Sequence, residues 1–198
     1  MGKYIVGITG ASGAIYGMRL IEECLKAGHE IFLTITKSGR IVIKEELNLD
    51  LDLGVEMIEE RLLEYFNVTR EVFTYYDVDH ISGAIASGSF RTDGMIIAPC
   101  SMSTVSAIAQ GSSNNLLERA ADVILKEGKP MILIPRETPL SAIHLENLLK
   151  LARLGVKIIP PMPSFYTHPK TIDDIVNNTV GRILDQLNIE HNLCKRWS

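Results

Sequence analysis

Apolar positions fall into two kinds of run along the chain. Short runs that are rich in β-branched residues and apolar at nearly every position predict strands buried on both faces. Longer stretches whose apolar residues recur every three or four positions predict helices. The predicted strands cover residues 3–9, 30–36, 94–99, 130–135 and 156–160. The predicted helices cover residues 14–27, 39–47, 55–66, 101–110, 114–127, 140–154 and 171–188.

The order of these elements defines a fold class. Strands that are apolar throughout and alternate with helices are typical of a parallel sheet covered on both faces. We therefore expect a single-domain, doubly wound α/β fold, Rossmann-like or flavodoxin-like, with a mostly parallel sheet over residues 1–188. Residues 67–92 are harder to interpret: they hold a possible strand near 71–76 and a glycine- and serine-rich loop at 86–90. Residues 189–198 are predicted to form a tail.

Composition narrows the function classes. The chain has 198 residues and a formal net charge of -4, without a run of Lys or Arg, so neither a nucleic acid nor a membrane surface is an expected partner. Three cysteines without CxxC spacing and five scattered histidines predict no disulfide framework and no metal site. The first apolar stretch is too short for a signal peptide and runs into a glycine-rich loop, so the expected location is cytoplasmic.

In a doubly wound sheet, ligands bind beyond the carboxyl ends of the strands. The segments that follow four of the predicted strands are rich in glycine, hydroxyl or charged residues. They cover residues 9–14, 36–38, 99–104 and 135–140. A ligand site is therefore expected where these segments meet.

The first of these segments has a regular glycine spacing. The glycines are Gly7, Gly10 and Gly13. They precede a helix whose free N–H groups favour a phosphate, although glycines there can also simply form the turn. This spacing also occurs in extended short-chain dehydrogenases, but Thr36-Lys37 after the second strand supplies no carboxylate for a ribose diol. Tyr166 and Lys170 match the dehydrogenase Tyr/Lys pair only in spacing, since Pro169 should block the helix between them.

The polar residues that follow the third and fourth of these strands can each be explained either by ligand binding or by an ordinary structural role. Ser101, Ser103 and Thr104 could hold an anion or a polar ring edge, or serve as ordinary helix caps. Cys100 could be a nucleophile, but a small residue packed at a strand end explains it at least as well. Residues 135–139 place a guanidinium and a carboxylate between two prolines, which suits a ligand contact better than a surface ion pair.

Other charged residues lie on predicted helices. Glu46, Arg119 and Lys126 would, taken alone, be read as parts of solvated helix faces.

Several long motifs together resemble the UbiX-type flavin prenyltransferases. They are TGASGAIYG at 9–17, ASGSF at 86–90, APCSMST at 98–104, NNLLERAADVILKE at 114–127, PRETPLSAIHLENLLKL at 135–151, FYTHP at 165–169 and Arg196-Trp197. The resemblance implies a homo-oligomer, commonly a dodecamer, with active sites at subunit contacts and a C-terminal tail that contributes to the site or to a contact. It implies that reduced FMN, as co-substrate, reacts with dimethylallyl monophosphate to give prenylated FMN for UbiD-type decarboxylases.

The resemblance also implies roles for individual residues. The expected FMN contacts are Gly10, Ala11, Ser12, Thr36, Ser101, Met102, Ser103, Thr104 and Arg136. The expected substrate-phosphate group is Lys126, Glu137, Tyr166 and Arg182, with Arg119 nearby and Trp197 near the prenyl pocket. Ser12 and Glu46 are expected to move protons, and Glu137 and Lys126 to take part in catalysis. Cations and hydroxyl donors around a leaving phosphate make a metal unnecessary.

Two alternatives of other kinds remain. An FMN-dependent cysteine decarboxylase of the related fold would carry Pro-Ala-x-Ala-Asn-Thr where this chain has residues 99–104, and it would use a histidine on an early helix; none lies between His29 and His80. A non-catalytic FMN-binding carrier would have no use for the second phosphate-binding group.

Overall fold

The computed structural model of the chain describes residues 1–194. Within them the strands are β1 (Lys3–Ile8), β2 (Glu30–Ile35), β3 (Phe73–Asp77), β4 (Gly94–Cys100), β5 (Met131–Pro135) and β6 (Lys157–Ile158). The α-helices are α1 (Ala14–Lys26), α2 (Lys37–Leu47), α3 (Val55–Phe66), α4 (Met102–Gln110), α5 (Leu116–Lys126), α6 (Ala142–Arg153) and α7 (Ile172–Gln186). A short 3-10 helix covers Ala84–Ala86.

The strands form one sheet in the order β3-β2-β1-β4-β5-β6, and neighbouring strands pair in parallel. The chain moves outward from β1 to β3, then returns to the other side of β1 and continues outward to β6. The order thus reverses between β1 and β4, where Gly7 pairs with Ile97. This is the strand order of doubly wound dinucleotide-binding sheets, and the predicted fold class is confirmed. Such sheets leave a crevice beyond the carboxyl ends of the two strands at the reversal.

Each face of the sheet is covered by its own layer of helices. Successive side chains of a strand point to opposite faces, so Val6 and Ile8 pack in one buried cluster and Ile5 in the other. Buried residues of α1, α2, α3 and α7 belong to the first cluster. Buried residues of α4, α5 and α6 belong to the second. Both faces of β1, β2, β4 and β5 are therefore buried, which explains the apolar sequences of these four strands.

Two glycines let helices approach the reversal point closely. A Cβ on Gly7 would lie 2.9 Å from Leu117 Cδ1, so β1 and α5 touch where β1 has no side chain. A Cβ on Gly17 would overlap the carbonyl oxygen of Ala98, so α1 lies directly against β4. This packing fixes the start of α1 beside the end of β4.

The predicted element boundaries differ from the observed ones where side chains cap helices. Thr36 accepts a hydrogen bond from Gly39 N, and α2 therefore starts at Lys37, two residues before the prediction. Asn115 caps α5, which starts two residues later than expected. The last strand has two residues rather than five. Ile159 N still donates to Leu133 O at 2.9 Å, but Pro160 and Pro161 after it cannot donate to the sheet. The strand suspected near 71–76 is β3.

No helix within residues 1–194 is long and apolar enough to cross a membrane.

Candidate active site

A buried threonine joins the loops that follow β1 and β4. Thr9 is 1% exposed; its Oγ1 donates to the carbonyl of Pro99 at 2.9 Å and accepts from Ser101 N at 2.7 Å. Its backbone N–H also donates to Pro99 O, at 3.2 Å. Thr9 was not among the predicted site residues. Its position directly after a strand and before Gly10 could have indicated that its hydroxyl bonds to a neighbouring loop.

The loops after β2 and β5 join the same cluster. Arg136 Nε donates to Ser12 O at 3.3 Å, and Arg136 N donates to Cys100 O at 3.3 Å. Thr36 N donates to Ile8 O at 3.0 Å. The structure therefore brings together the predicted FMN contacts at the carboxyl edge of the sheet. They are Gly10, Ala11, Ser12, Thr36, Ser101, Met102, Ser103, Thr104 and Arg136.

The start of α4 lies in this cluster with hydrogen-bond donors. Ser101 Oγ accepts from Thr104 N at 3.3 Å and lies 3.0 Å from Thr104 Oγ1. Capping thus engages Ser101 and Thr104, whereas the side chain of Ser103 is exposed. The N–H groups of Met102 and Ser103 belong to the first helical turn, where no helix carbonyl can accept them. The capping interpretation of this segment is confirmed, and anion binding at the remaining N–H donors stays a prediction.

The N–H groups at the start of α1 bond to a side chain of α2. Gly13 has φ +108° and supplies no side-chain cap. Instead, the Glu46 carboxylate accepts from Gly13 N at 3.0 Å and 2.9 Å and from Ala14 N at 2.9 Å. A phosphate at these N–H groups would have to displace the Glu46 carboxylate, so phosphate binding at this place stays a prediction. Glu46 is exposed, as expected for a residue on a solvated helix face, but its carboxylate is also bonded to the start of α1.

Cys100 fits a packing role. It is fully buried at the end of β4, and burial raises the pKa of its thiol well above the ordinary range. Its Sγ lies 3.7 Å from Ser101 O. A neutral, enclosed thiol is inert as a nucleophile.

The predicted phosphate-binding residues do not meet within one chain. Arg136 and Glu137 directly follow the carboxyl end of β5. Lys126 ends α5, five residues before β5 begins, and its Nζ lies 3.8 Å from the Glu127 carboxylate. Lys126 therefore lies at the amino end of the sheet, about 16 Å from Glu137 along a five-residue strand. Within one chain Lys126 is thus separated from Glu137, and the predicted phosphate-binding group stays a prediction for a contact between subunits.

Other members of that group lie elsewhere. Arg119 is exposed in the first turn of α5, which begins next to Val78, just past the carboxyl end of β3. Arg182 is on α7, with a side chain 64% exposed and Nη1 3.8 Å from Asp185 Oδ2. Tyr166 is 63% exposed in the irregular segment between β6 and α7, so no helix aligns it with Lys170 as a dehydrogenase pair. Trp197 lies outside the described residues.

No group of three or more His, Cys, Asp or Glu side chains in residues 1–194 is placed to hold a metal ion.

Comparison with known proteins defines the class of this fold and site. The family model described as Flavoprotein matches residues 2–184, so the chain belongs to the flavoprotein family. It is 52% identical over 196 residues to the flavin prenyltransferase UbiX of Halalkalibacterium halodurans, covering 99% of this chain and 93% of that protein. Within the flavoprotein family, the chain is a member of the UbiX-type flavin prenyltransferases.

Two solved structures agree with this assignment. AnUbiX (PadA1), crystallised in complex with FMN and dimethylallyl pyrophosphate, is 34% identical and superposes with a TM-score of 0.89, covering 100% of this chain and 97% of that one. A dodecameric FMN-dependent UbiX-like decarboxylase from Escherichia coli O157:H7 is 42% identical with a TM-score of 0.86, covering 99% of both chains. The resemblance read from the sequence motifs is confirmed.

Proposed function

We propose that this chain joins the dimethylallyl group of dimethylallyl monophosphate to N5 and C6 of reduced FMN. Reduced FMN is a substrate of this reaction, and the product is prenylated FMN. The observation that carries the proposal is the hydrogen-bonded cluster of four loops at the strand-order reversal, in a chain of the flavin prenyltransferase family. That cluster supplies a binding site for a flavin with one terminal phosphate.

The FMN phosphate is assigned to the start of α4 rather than that of α1. The first-turn N–H groups of α4 favour an anion, and the Arg136 guanidinium reaches Ser12 in the same cluster. Thr36 and Lys37 directly follow β2, so the end of this strand itself supplies no carboxylate for a ribose diol. These features favour FMN over FAD or NAD(P).

The donor phosphate is assigned to Lys126, Glu137, Tyr166 and Arg182, with Arg119 nearby. Because Lys126 and Glu137 lie at opposite ends of the sheet in one chain, this group requires a second copy of the chain to supply Lys126. A homo-oligomer, dodecameric like the E. coli relative, satisfies that requirement. Attack of N5 on the allyl carbon breaks the donor C–O bond, whose electron pair goes to the phosphate, and N5 then releases its proton to the departing phosphate. Cations at this place stabilise the charge that develops on the phosphate.

The remaining assigned groups act on protons. Forming the C6 bond adds C6–H across the prenyl alkene, so one proton must leave C6 and another must reach the prenyl chain. Glu46 is assigned as the base, and the exposed Ser12 hydroxyl, beside Arg136, as its partner in proton movement. We propose further that the reaction needs no metal, that a UbiD-type decarboxylase receives the product, and that the protein is cytoplasmic. Residues 189–198 are proposed to form a tail that contributes to the site or to a subunit contact.

Anaerobic incubation of the protein with reduced FMN and dimethylallyl monophosphate tests the reaction. Mass spectrometry of the extracted flavin should show a gain of one prenyl unit. A parallel reaction with the diphosphate donor separates the two possible substrates. Tight FMN binding with an unchanged flavin mass for both donors would favour the carrier instead. Release of carbon dioxide from a C-terminal cysteine peptide would favour the cysteine decarboxylase.

Removing one cation from the donor site should weaken donor use but not FMN binding. For Lys126→Ala or Arg182→Ala we expect the KM for the donor to rise roughly 10- to 150-fold, the worth of one charged hydrogen bond to phosphate. Steady-state kinetics and flavin titration measure the two effects separately. Lys150→Ala on α6 removes an exposed lysine without an assigned role and is the control. Equal losses of FMN and donor binding would mean that the wrong phosphate has been assigned.

A further inference from the structure

Residues 189–194, which we call the fold-back, follow α7 and turn back onto that helix through a buried histidine. The His191 side chain is only 2% exposed, and its Nε2 lies 3.3 Å from Asp185 Oδ1. Leu193 N donates to His191 Nδ1 at 3.2 Å. Since Nδ1 accepts this bond, Nε2 carries the proton and donates to the Asp185 carboxylate. Both ring nitrogens of His191 therefore form hydrogen bonds: Nε2 bonds to α7, and Nδ1 bonds to the backbone of the fold-back.

Helix α7 leaves space for this fold-back at Gly181. A Cβ on Gly181 would lie 2.8 Å from His191 Cε1 and 2.9 Å from Cys194 Sγ. Nearer the helix end, Ile189 N donates to Leu184 O at 3.0 Å, and Ile189 is buried in the core. Three features thus hold residues 189–194 against α7: the lack of a side chain at Gly181, the buried side chain of Ile189, and the hydrogen bond between His191 and Asp185.

Asp185 connects this fold-back with a residue assigned to the donor phosphate. Its Oδ1 faces His191, and its Oδ2 lies 3.8 Å from Arg182 Nη1. The fold-back also lines a cleft between α7 and the segment that carries Tyr166. The cleft is lined by Thr167, His168, Pro169, Lys170, Asp174, Asn178, Leu193 and Cys194. One carboxylate therefore lies between the guanidinium and the chain that continues toward Trp197.

We propose that Asp185 is a positioning residue for the prenyl donor. Through its hydrogen bond with His191, it holds the fold-back of residues 189–194 beside Arg182. The inference rests on the proposed function, because Arg182 is assigned there to the donor phosphate. Asp185 itself does not touch the reacting atoms. With Asp185 removed, the histidine loses its acceptor and the guanidinium its nearby carboxylate. Donor binding then weakens, whereas the FMN loops, on other elements, keep their contacts.

Asp185→Ala is the first test, read in two independent ways. We expect the donor KM to rise roughly tenfold, at the low end of the change for Arg182→Ala because Asp185 acts through its neighbours, with FMN affinity within twofold of wild type. Trp197 is the only tryptophan, so its emission in the flavin-free protein reports on the C-terminal segment. We expect acrylamide to quench it more strongly in the variant. Asp173→Ala is the matched control, since Asp173 is an exposed acid of α7 that pairs with Arg19 instead.

Two further variants separate positioning from a general loss of stability. Asp185→Asn keeps an oxygen acceptor for His191, and should restore both the wild-type quenching and a donor KM near that of wild type. Gly181→Ala leaves Asp185 intact but displaces His191 and Cys194, and should reproduce both the stronger quenching and the raised donor KM. Unchanged quenching and donor KM in Asp185→Ala would overturn the inference, as would an equal loss of FMN binding. If wild-type protein fails to transfer a prenyl group, the proposed function fails, while the quenching experiment still decides whether Asp185 holds the segment.

Discussion

Glu46→Gln should separate the two bond-forming steps. Joining the allyl carbon to N5 needs proximity and stabilisation of the leaving phosphate, whereas closing the ring at C6 requires a base to take a proton from carbon. Glutamine keeps the shape of Glu46 but cannot accept that proton. We expect the variant to consume donor and accumulate flavin prenylated at N5 alone, with ring closure slowed about 10²–10⁴-fold. Rapid quench with mass and absorbance detection distinguishes the two products.

Because Glu46 also contacts the start of α1, its replacement can change FMN binding as well as catalysis. Its carboxylate accepts from Gly13 N and Ala14 N, and the amide group of glutamine turns one of these acceptor oxygens into a donor. The loop after β1 should therefore loosen, and FMN affinity must be measured beside the rates. Glu45→Gln, on the same exposed stretch of α2, controls for the loss of charge. Wild-type rates for both steps would leave Glu46 as a clamp for α1 without a catalytic role.

The sheet was predictable because its residues carry a local signal. A strand buried on both faces is apolar throughout, and β1, β2, β4 and β5 all show that pattern. Segment 73–77 was harder to assign because β3 forms the edge of the sheet, and two tyrosines and an aspartate interrupt its apolar run. Helix boundaries shifted where a hydroxyl or amide side chain caps the helix, as Thr36 and Asn115 do. Such caps are visible in sequence only once the register of the helix is known.

The candidate site was predictable to the extent that it follows the ends of strands. The four flagged loops do meet, because parallel strands bring their carboxyl ends to one edge. The contact of Glu46 with the start of α1 spans 32 and 33 residues and depends on how α2 packs on α1, which no local pattern encodes. The separation of Lys126 from Glu137 follows from the direction of α5. A helix returns the chain to the amino end of the sheet, so a residue at its last turn lies far from the loops.

Thr9→Val should produce the largest loss of stability among substitutions near the site. Valine matches threonine in shape but has no hydroxyl, so Pro99 O loses one donor and Ser101 N is left without its acceptor. An unsatisfied buried donor costs about 1–3 kcal/mol, and a lost hydrogen bond about 1 kcal/mol more. We expect the free energy of unfolding to fall by about 2–4 kcal/mol. That corresponds to a Tm lower by roughly 4–16 °C for a domain of this size, measurable by calorimetry.

The same substitution should also impair function, because Thr9 fixes the distance between two loops that are assigned to FMN in the proposed function. Freed from Thr9, Ser101 and the start of α4 no longer keep their position relative to the loop after β1. A displacement of about 1 Å at such a site lowers turnover by up to about 100-fold. We therefore expect weaker FMN binding and slower prenylation in Thr9→Val at temperatures where the variant is folded. Thr9→Ser keeps the hydroxyl and should restore both Tm and FMN affinity to near wild type. If serine fails to rescue while valine is tolerated, the methyl group of Thr9, rather than its hydroxyl, joins the two loops.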